Sequence, residues 1–245
     1  LVAEREQGVR TVFKRFADYW DANTGNVDTM VLTPIKEDAT RVAALLSGDV
    51  DFMMPVPPQD MDRIESTDGV QLVTMPGSRI ITLQLNQNRL DEFKDVKVRQ
   101  AIVHAINNVG IVEKIMKGFG TPGGQQGPAG YQGYDASLTP RFDLEKAKAL
   151  MEEAGYADGF TATMICPNNR YVNDEKICEA AVSMLAKIGI TIELKTMPKA
   201  QYWDEFDAMV ADIQMIGWHS DTEDSANFSE YLLMCRDDKG YGQYN

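Results

Sequence analysis

From residue 143 onward the chain alternates amphipathic helical stretches with short apolar runs, and that alternation restricts it to α/β layers. Asp143 precedes Leu144, Ala147, Leu150, Met151 and Ala154, which recur at helical spacing before Gly155. An aspartate ahead of such a stripe caps a helix by accepting an orphan N–H, and a glycine behind it takes the left-handed stop. The run 160–165 then reads as a strand. Asn173 opens a longer helix with the stripe Ile177, Ala180, Ala181, Met184, Leu185 and Ile188, stopped by Gly189. A strand at 190–195, a helix around 199–209, a strand at 212–216 and a helix around 225–234 continue the pattern.

The first half follows the same grammar less regularly. A strand is expected at 29–35, then a helix capped by Asp38 with Val42, Leu45 and Leu46 on one face, ending at Gly48. Further strands are expected at 50–54, 70–75 and 80–86, with a short helix from Pro57-Pro58 to about residue 64. The polar stretch 86–95 reads as a crossing between two blocks. Asp95 caps a helix carrying Val98, Ala101, Ile102, Ala105 and Ile106, and Asn108 caps another that ends at Gly118. The Gly- and Pro-rich stretch 120–131 cannot form regular structure.

Composition narrows the function classes. A chain of 245 residues is long enough for two domains, and its net charge of −13 disfavours a nucleic-acid or anionic-membrane partner. No run of about 20 apolar residues is present to span a bilayer. Three cysteines and two distant histidines, His104 and His219, lack the clustering a zinc site needs, so neither metal nor cofactor is expected. The Gly-rich stretch follows a helix and lacks a Gly-Lys-Ser or Gly-Lys-Thr ending, which argues against a phosphate cradle. There is no dinucleotide fingerprint and no Gly-x-Ser-x-Gly elbow, and His104 sits inside a helical apolar stripe. Paired carboxylates stay open as catalytic groups because their separation is not legible, which keeps a hydrolase of a small solute as the alternative of a different class.

The junction at 216–228 concentrates the binding chemistry. A strand ends in Gly217-Trp218, and His219, Asp221, Glu223 and Asp224 follow before the next helix. Gly217 lets another group approach the backbone closely. A partly buried Asp221 would need a cationic partner, such as a ligand ammonium. The competing reading is a solvated acidic loop with Trp218 in the core.

In segment order the chain resembles the extracellular solute-binding proteins of the dipeptide and oligopeptide type, which deliver solutes to ABC importers. The resemblance rests on Gln7-Gly8-Val9-Arg10 with Tyr19-Trp20, on residues 41–51, on Asp95-Val96-Lys97-Val98-Arg99-Gln100-Ala101-Ile102, on residues 143–156, and on Gly217-Trp218 with Asp221. It implies an α/β fold of the periplasmic-binding-protein type, bilobed (type II, cluster C). Residues 1–86 would be part of the first lobe and 87–245 a C-terminally incomplete second lobe. It also implies a periplasmic or extracellular address, a permease partner in the inner membrane, a monomer, and a binding protein in place of an enzyme. The ligand would be a small peptide, with nickel complexes, opines and oligosaccharides as alternatives. By the same resemblance Asp221 would hold the ligand amine, while the backbone of Gly217, Trp218 and His219 would pair with the ligand main chain by strand addition. Arg170 and Tyr171, on the loop after the 160–165 strand, could supply a second wall or simply be exposed.

An extracellular address also permits a disulfide between Cys166 and Cys178, the alternative being two buried thiols. Cys235 would then be unpaired within the chain.

Overall fold

The structure, a computed structural model, describes residues 1–22 and 24–234, which form two compact units. The first comprises Leu1–Val56 and Arg63–Val70, the second Pro57–Asp62 and the chain from Gln71 onward. Cys235 lies outside the described residues.

In the first unit β1 (Val2–Glu6), β2 (Arg10–Lys14) and β3 (Thr29–Leu32) form an antiparallel sheet in that order. The β1–β2 turn depends on Gly8, whose φ of +77° few other residues adopt. Helix α1 (Asp38–Ser47) buries Val42 and ends on Gly48 in the left-handed region. Asp38 is the first helical residue; the N-cap is Glu37, which makes no side-chain cap. The strands expected at 50–54 and 70–75 are absent. Pro55, Pro57 and Pro58 carry no N–H for a ladder, and Val73 and Met75 are exposed, with no apolar face to cover them.

Helix α2 spans Met61–Glu65. In the second unit β4 (Ile80–Leu85), β5 (Phe160–Pro167), β6 (Ile190–Met197) and β7 (Ile213–Trp218) make one sheet in the order β4-β7-β5-β6. The sequence pattern groups 80–86 with the first block, yet β4 pairs along its whole length with β7, from Ile80↔Trp218 to Leu85↔Ile213. Partners more than a hundred residues apart leave no local trace of that pairing.

One face of this sheet carries Ala162, Met164, Cys166, Ile213 and Met215 beneath α3 (Val96–Ala105), α5 (Leu144–Glu153) and α6 (Asp174–Leu185). Between them α4 spans Asn108–Lys114 and is capped by Asn107, one residue before the expected cap, whose side chain accepts from Gly110 N–H at 2.8 Å. The opposite face carries Ile165 and Ile216 beneath α7 (Lys199–Asp207) and α8 (Ala226–Leu232), which bring in Tyr202, Phe206, Phe228 and Leu232. Alternating residues of one strand thus serve two cores, as the two-residue period of a strand dictates. Cys166 and Cys178 form a disulfide that ties the end of β5 to the second turn of α6, with the Cα atoms 6.6 Å apart.

Candidate functional site

Strand β5 has β6 on one side and β7 on the other, and it runs parallel to both. The helices that follow these two strands lie on opposite faces of the sheet, α6 after β5 and α8 after β7. Loops leaving the carboxyl ends of β5 and β7 must therefore diverge. In open α/β sheets this divergence makes the crevice in which ligands are held.

The ladder between β5 and β7 is short. It pairs Met164 with Ile213 and Ile165 with Gln214, and no farther. Past that point side chains take over the β7 backbone: the Tyr202 hydroxyl donates to Met215 O, and Gly217 N–H donates to the Tyr171 hydroxyl at 2.8 Å. Gly217 O accepts Arg79 Nη1 at 3.0 Å. A Cβ on Gly217 would lie 2.6 Å from both Tyr171 Cε1 and Ile81 Cδ1, so the glycine is needed for this close approach. Gly217 and Tyr171, 46 positions apart, are brought into contact at the divergence of the two strands.

The loop that carries Arg170 and Tyr171 is fixed from below by Asp174. Its buried carboxylate accepts the backbone N–H groups of Arg170 at 2.8 Å, Tyr171 at 2.9 Å and Glu175 at 3.0 Å. Burial pushes the Asp174 carboxyl above the ordinary aspartate range, and the three backbone donors pull it back only in part. Asn173 adopts a left-handed φ of +54° and makes no side-chain cap; its amide donates to Ile115 O instead. On the same loop Asn169 caps α7 by accepting Lys199 N–H at 2.8 Å. The Arg170 guanidinium carbon stands 4.8 Å from the Tyr171 ring centroid, and that of Arg79 stands 6.0 Å from it.

The far side of the crevice is less enclosed than the sequence suggests. Trp218 turns its indole into the second core, stacking on Tyr231 with centroids 4.8 Å apart and donating Nε1–H to Asn227 at 2.9 Å. Asp221 is 87% exposed, and His219 Nδ1 stands 3.8 Å from its carboxylate. The carboxylate is open to solvent, so the expected partly buried charge is not present in the chain by itself. Gln132, directly after the Gly-rich stretch, clamps the junction: its N–H donates to Glu223 O and Ser225 N–H donates to its O, both at 3.0 Å. Among the described residues no group of three or more His, Cys, Asp or Glu could hold a metal, and no helix is long and apolar enough to cross a membrane.

Sequence reasoning missed Arg79, Asp174 and Asn169. Only Asp174 leaves a signal, an acidic residue directly after Asn173 at a helix start, and that pattern usually marks an ordinary cap.

With this geometry in place, the chain can be compared with known proteins. It is 30% identical over 192 residues to the "Glutathione-binding protein GsiB" of Pectobacterium atrosepticum, a match that covers 77% of this chain and 36% of that relative. Its structure superposes on the "ABC transporter-associated periplasmic binding protein DppA from Helicobacter pylori in complex with peptide STSA" with a TM-score of 0.83 and 26% identity, covering 93% of this chain and 44% of the other. It superposes on the periplasmic binding protein AgaA of A. tumefaciens R10, solved in complex with agropinic acid, with a TM-score of 0.82 and 30% identity, covering 94% and 47%. The chain thus spans less than half of each of these proteins and shares the α/β fold of the periplasmic binding proteins. Residues 1–240 match the family described as "Bacterial extracellular solute-binding proteins, family 5 Middle", and the chain belongs to that family.

Proposed function

We propose that this chain is part of the substrate-binding component of an ABC importer, which captures a di- or oligopeptide in the periplasm and delivers it to an inner-membrane permease without chemical change. The observation that carries this reading is the meeting of Gly217 with the Arg170–Tyr171 loop where β5 and β7 diverge. An aromatic ring and a guanidinium at the point where the β7 edge runs on unpaired by β5 suit a ligand with its own amide groups and charged ends, which would pair with the backbone beyond Gly217. Asp221, three residues past Trp218, is the proposed anchor for the ligand amine, and the His219 backbone continues the strand edge beyond Gly217. Agropinic acid in the AgaA complex favours an opine-type solute as the second reading.

The test uses the full-length protein, exposed to a peptide mixture and examined by native mass spectrometry. The peptides retained are then measured by calorimetry against wild type and Asp221→Asn. If binding desolvates Asp221, the variant loses roughly 2–5 kcal/mol with peptides bearing a free amine. A loss below about 1 kcal/mol would leave Asp221 a rim charge, as it is in the free chain. Unchanged peptides accompanied by a heat-stability shift support capture, whereas hydrolysis products would favour an enzyme.

A further inference from the structure

Arg79 has no part in the reading above, yet it reaches the same crevice. It lies just before β4, 138 positions from Gly217, and it is held there by its hydrogen bond to Gly217 O. That bond uses one of the five N–H donors of a guanidinium. Arg170 and Arg79 both face the Tyr171 ring, at 4.8 and 6.0 Å from its centroid, distances at which the ring attracts cations. Two guanidinium groups gathered around one ring concentrate positive charge there, and an anion is attracted to them.

The described residues do not supply this anion. The chain has 37 Asp and Glu against 24 Lys and Arg, but among the described residues no carboxylate forms a salt bridge with Arg79 or Arg170. The nearby Asp174 carboxylate is committed to three backbone N–H groups, and Asp221 points into solvent beside His219. By contrast, Arg89, at the other end of the same sheet, is paired with Asp212, which also accepts Thr163 N–H at 2.8 Å. The carboxyl end therefore holds two positioned cations, and a planar guanidinium matches a carboxylate better than any other common anion-binding side chain.

We propose that Arg79 is a specificity residue which, together with Arg170, forms an anion subsite selecting solutes with two carboxylates, such as a peptide with an acidic side chain. This deepens the proposed function and rests on the same crevice. The test measures Ala-Glu against its neutral isostere Ala-Gln, and N-acetylglutamate against N-acetylglutamine, on the full-length protein by calorimetry. Wild type should prefer Ala-Glu by about tenfold or more, a difference of roughly 1.4 kcal/mol. Arg79→Gln should bring that ratio close to one by weakening Ala-Glu far more than Ala-Gln, while Arg79→Lys keeps part of the preference. Melting temperatures of both variants confirm that they fold. A wild-type ratio near one overturns the subsite even if both dipeptides bind. Equal weakening of both dipeptides by Arg79→Gln overturns it too, because Arg79 would then only support the Gly217 backbone. If neither dipeptide binds but N-acetylglutamate binds over N-acetylglutamine, the subsite stands and peptide capture falls. Binding of none of the four overturns the subsite.

Discussion

The hydroxyl of Tyr171 accepts the backbone N–H of Gly217 at 2.8 Å, and the edge of its ring occupies the space a Cβ on Gly217 would need. Tyr171 thus takes the hydrogen-bonding place that a neighbouring strand would have filled, just where β5 stops pairing with β7. Strand addition by a ligand must therefore begin beyond Gly217 or displace the tyrosine, which makes this pair the inner limit of the crevice.

Replacing Gly217 with Ala forces its new methyl against Tyr171 Cε1 and Ile81 Cδ1, each 2.6 Å away. Overpacking of this kind costs about 1–3 kcal/mol. In urea unfolding, Gly217→Ala should be destabilised by that amount, and the cost should shrink by more than about 0.5 kcal/mol in a Tyr171→Ala background, as expected for residues in contact. Equal costs in both backgrounds would show that Tyr171 does not define the limit.

Asp174 makes stability depend on pH in a direction that can be worked out. Burial raises its carboxyl above the ordinary value of 3.8, so the folded protein binds this proton more tightly than the unfolded chain does. The resulting stabilisation is fully present below the unfolded value and is lost as pH rises through the folded one. Asp174→Asn removes the titration, so the stability of wild type relative to the variant should fall as pH rises above about 4 and then level off. A difference that grows with pH would mean that the three backbone N–H donors outweigh burial.

The parts of the fold legible from sequence were those written in local chemistry. Asp95 and Asp143 cap their helices by accepting from Lys97 and Lys146 N–H, and Gly48, Gly155 and Gly189 take the left-handed stops expected of them. The β1–β2 hairpin left only weak marks, because its strands are short and mostly exposed. In the site, Arg170, Tyr171 and Gly217 could be named from strand ends and glycine placement. Arg79 could not, since nothing near residue 79 announces a partner 138 positions away. The exposure of Asp221 was equally hidden, because an acidic loop reads the same whether it is solvated or about to meet a ligand.

The disulfide between Cys166 and Cys178 spans 12 positions and encloses the loop that carries Arg170 and Tyr171. Both cysteines are fully buried in the core beneath α3, α5 and α6, so reduction leaves two packed thiols, and its effect falls mainly on the unfolded chain. A loop of this length corresponds to about 3 kcal/mol on the chain-entropy model, and the paired replacement Cys166→Ala with Cys178→Ala should lose about that much in urea unfolding. Thiol titration of the denatured, unreduced chain should find one free thiol of the three cysteines, and three only after reduction. Three free thiols without reductant would rule the bridge out, and the Arg170–Tyr171 loop would then be held by the hydrogen bonds of Asp174, Asn173, Asn169 and Tyr171.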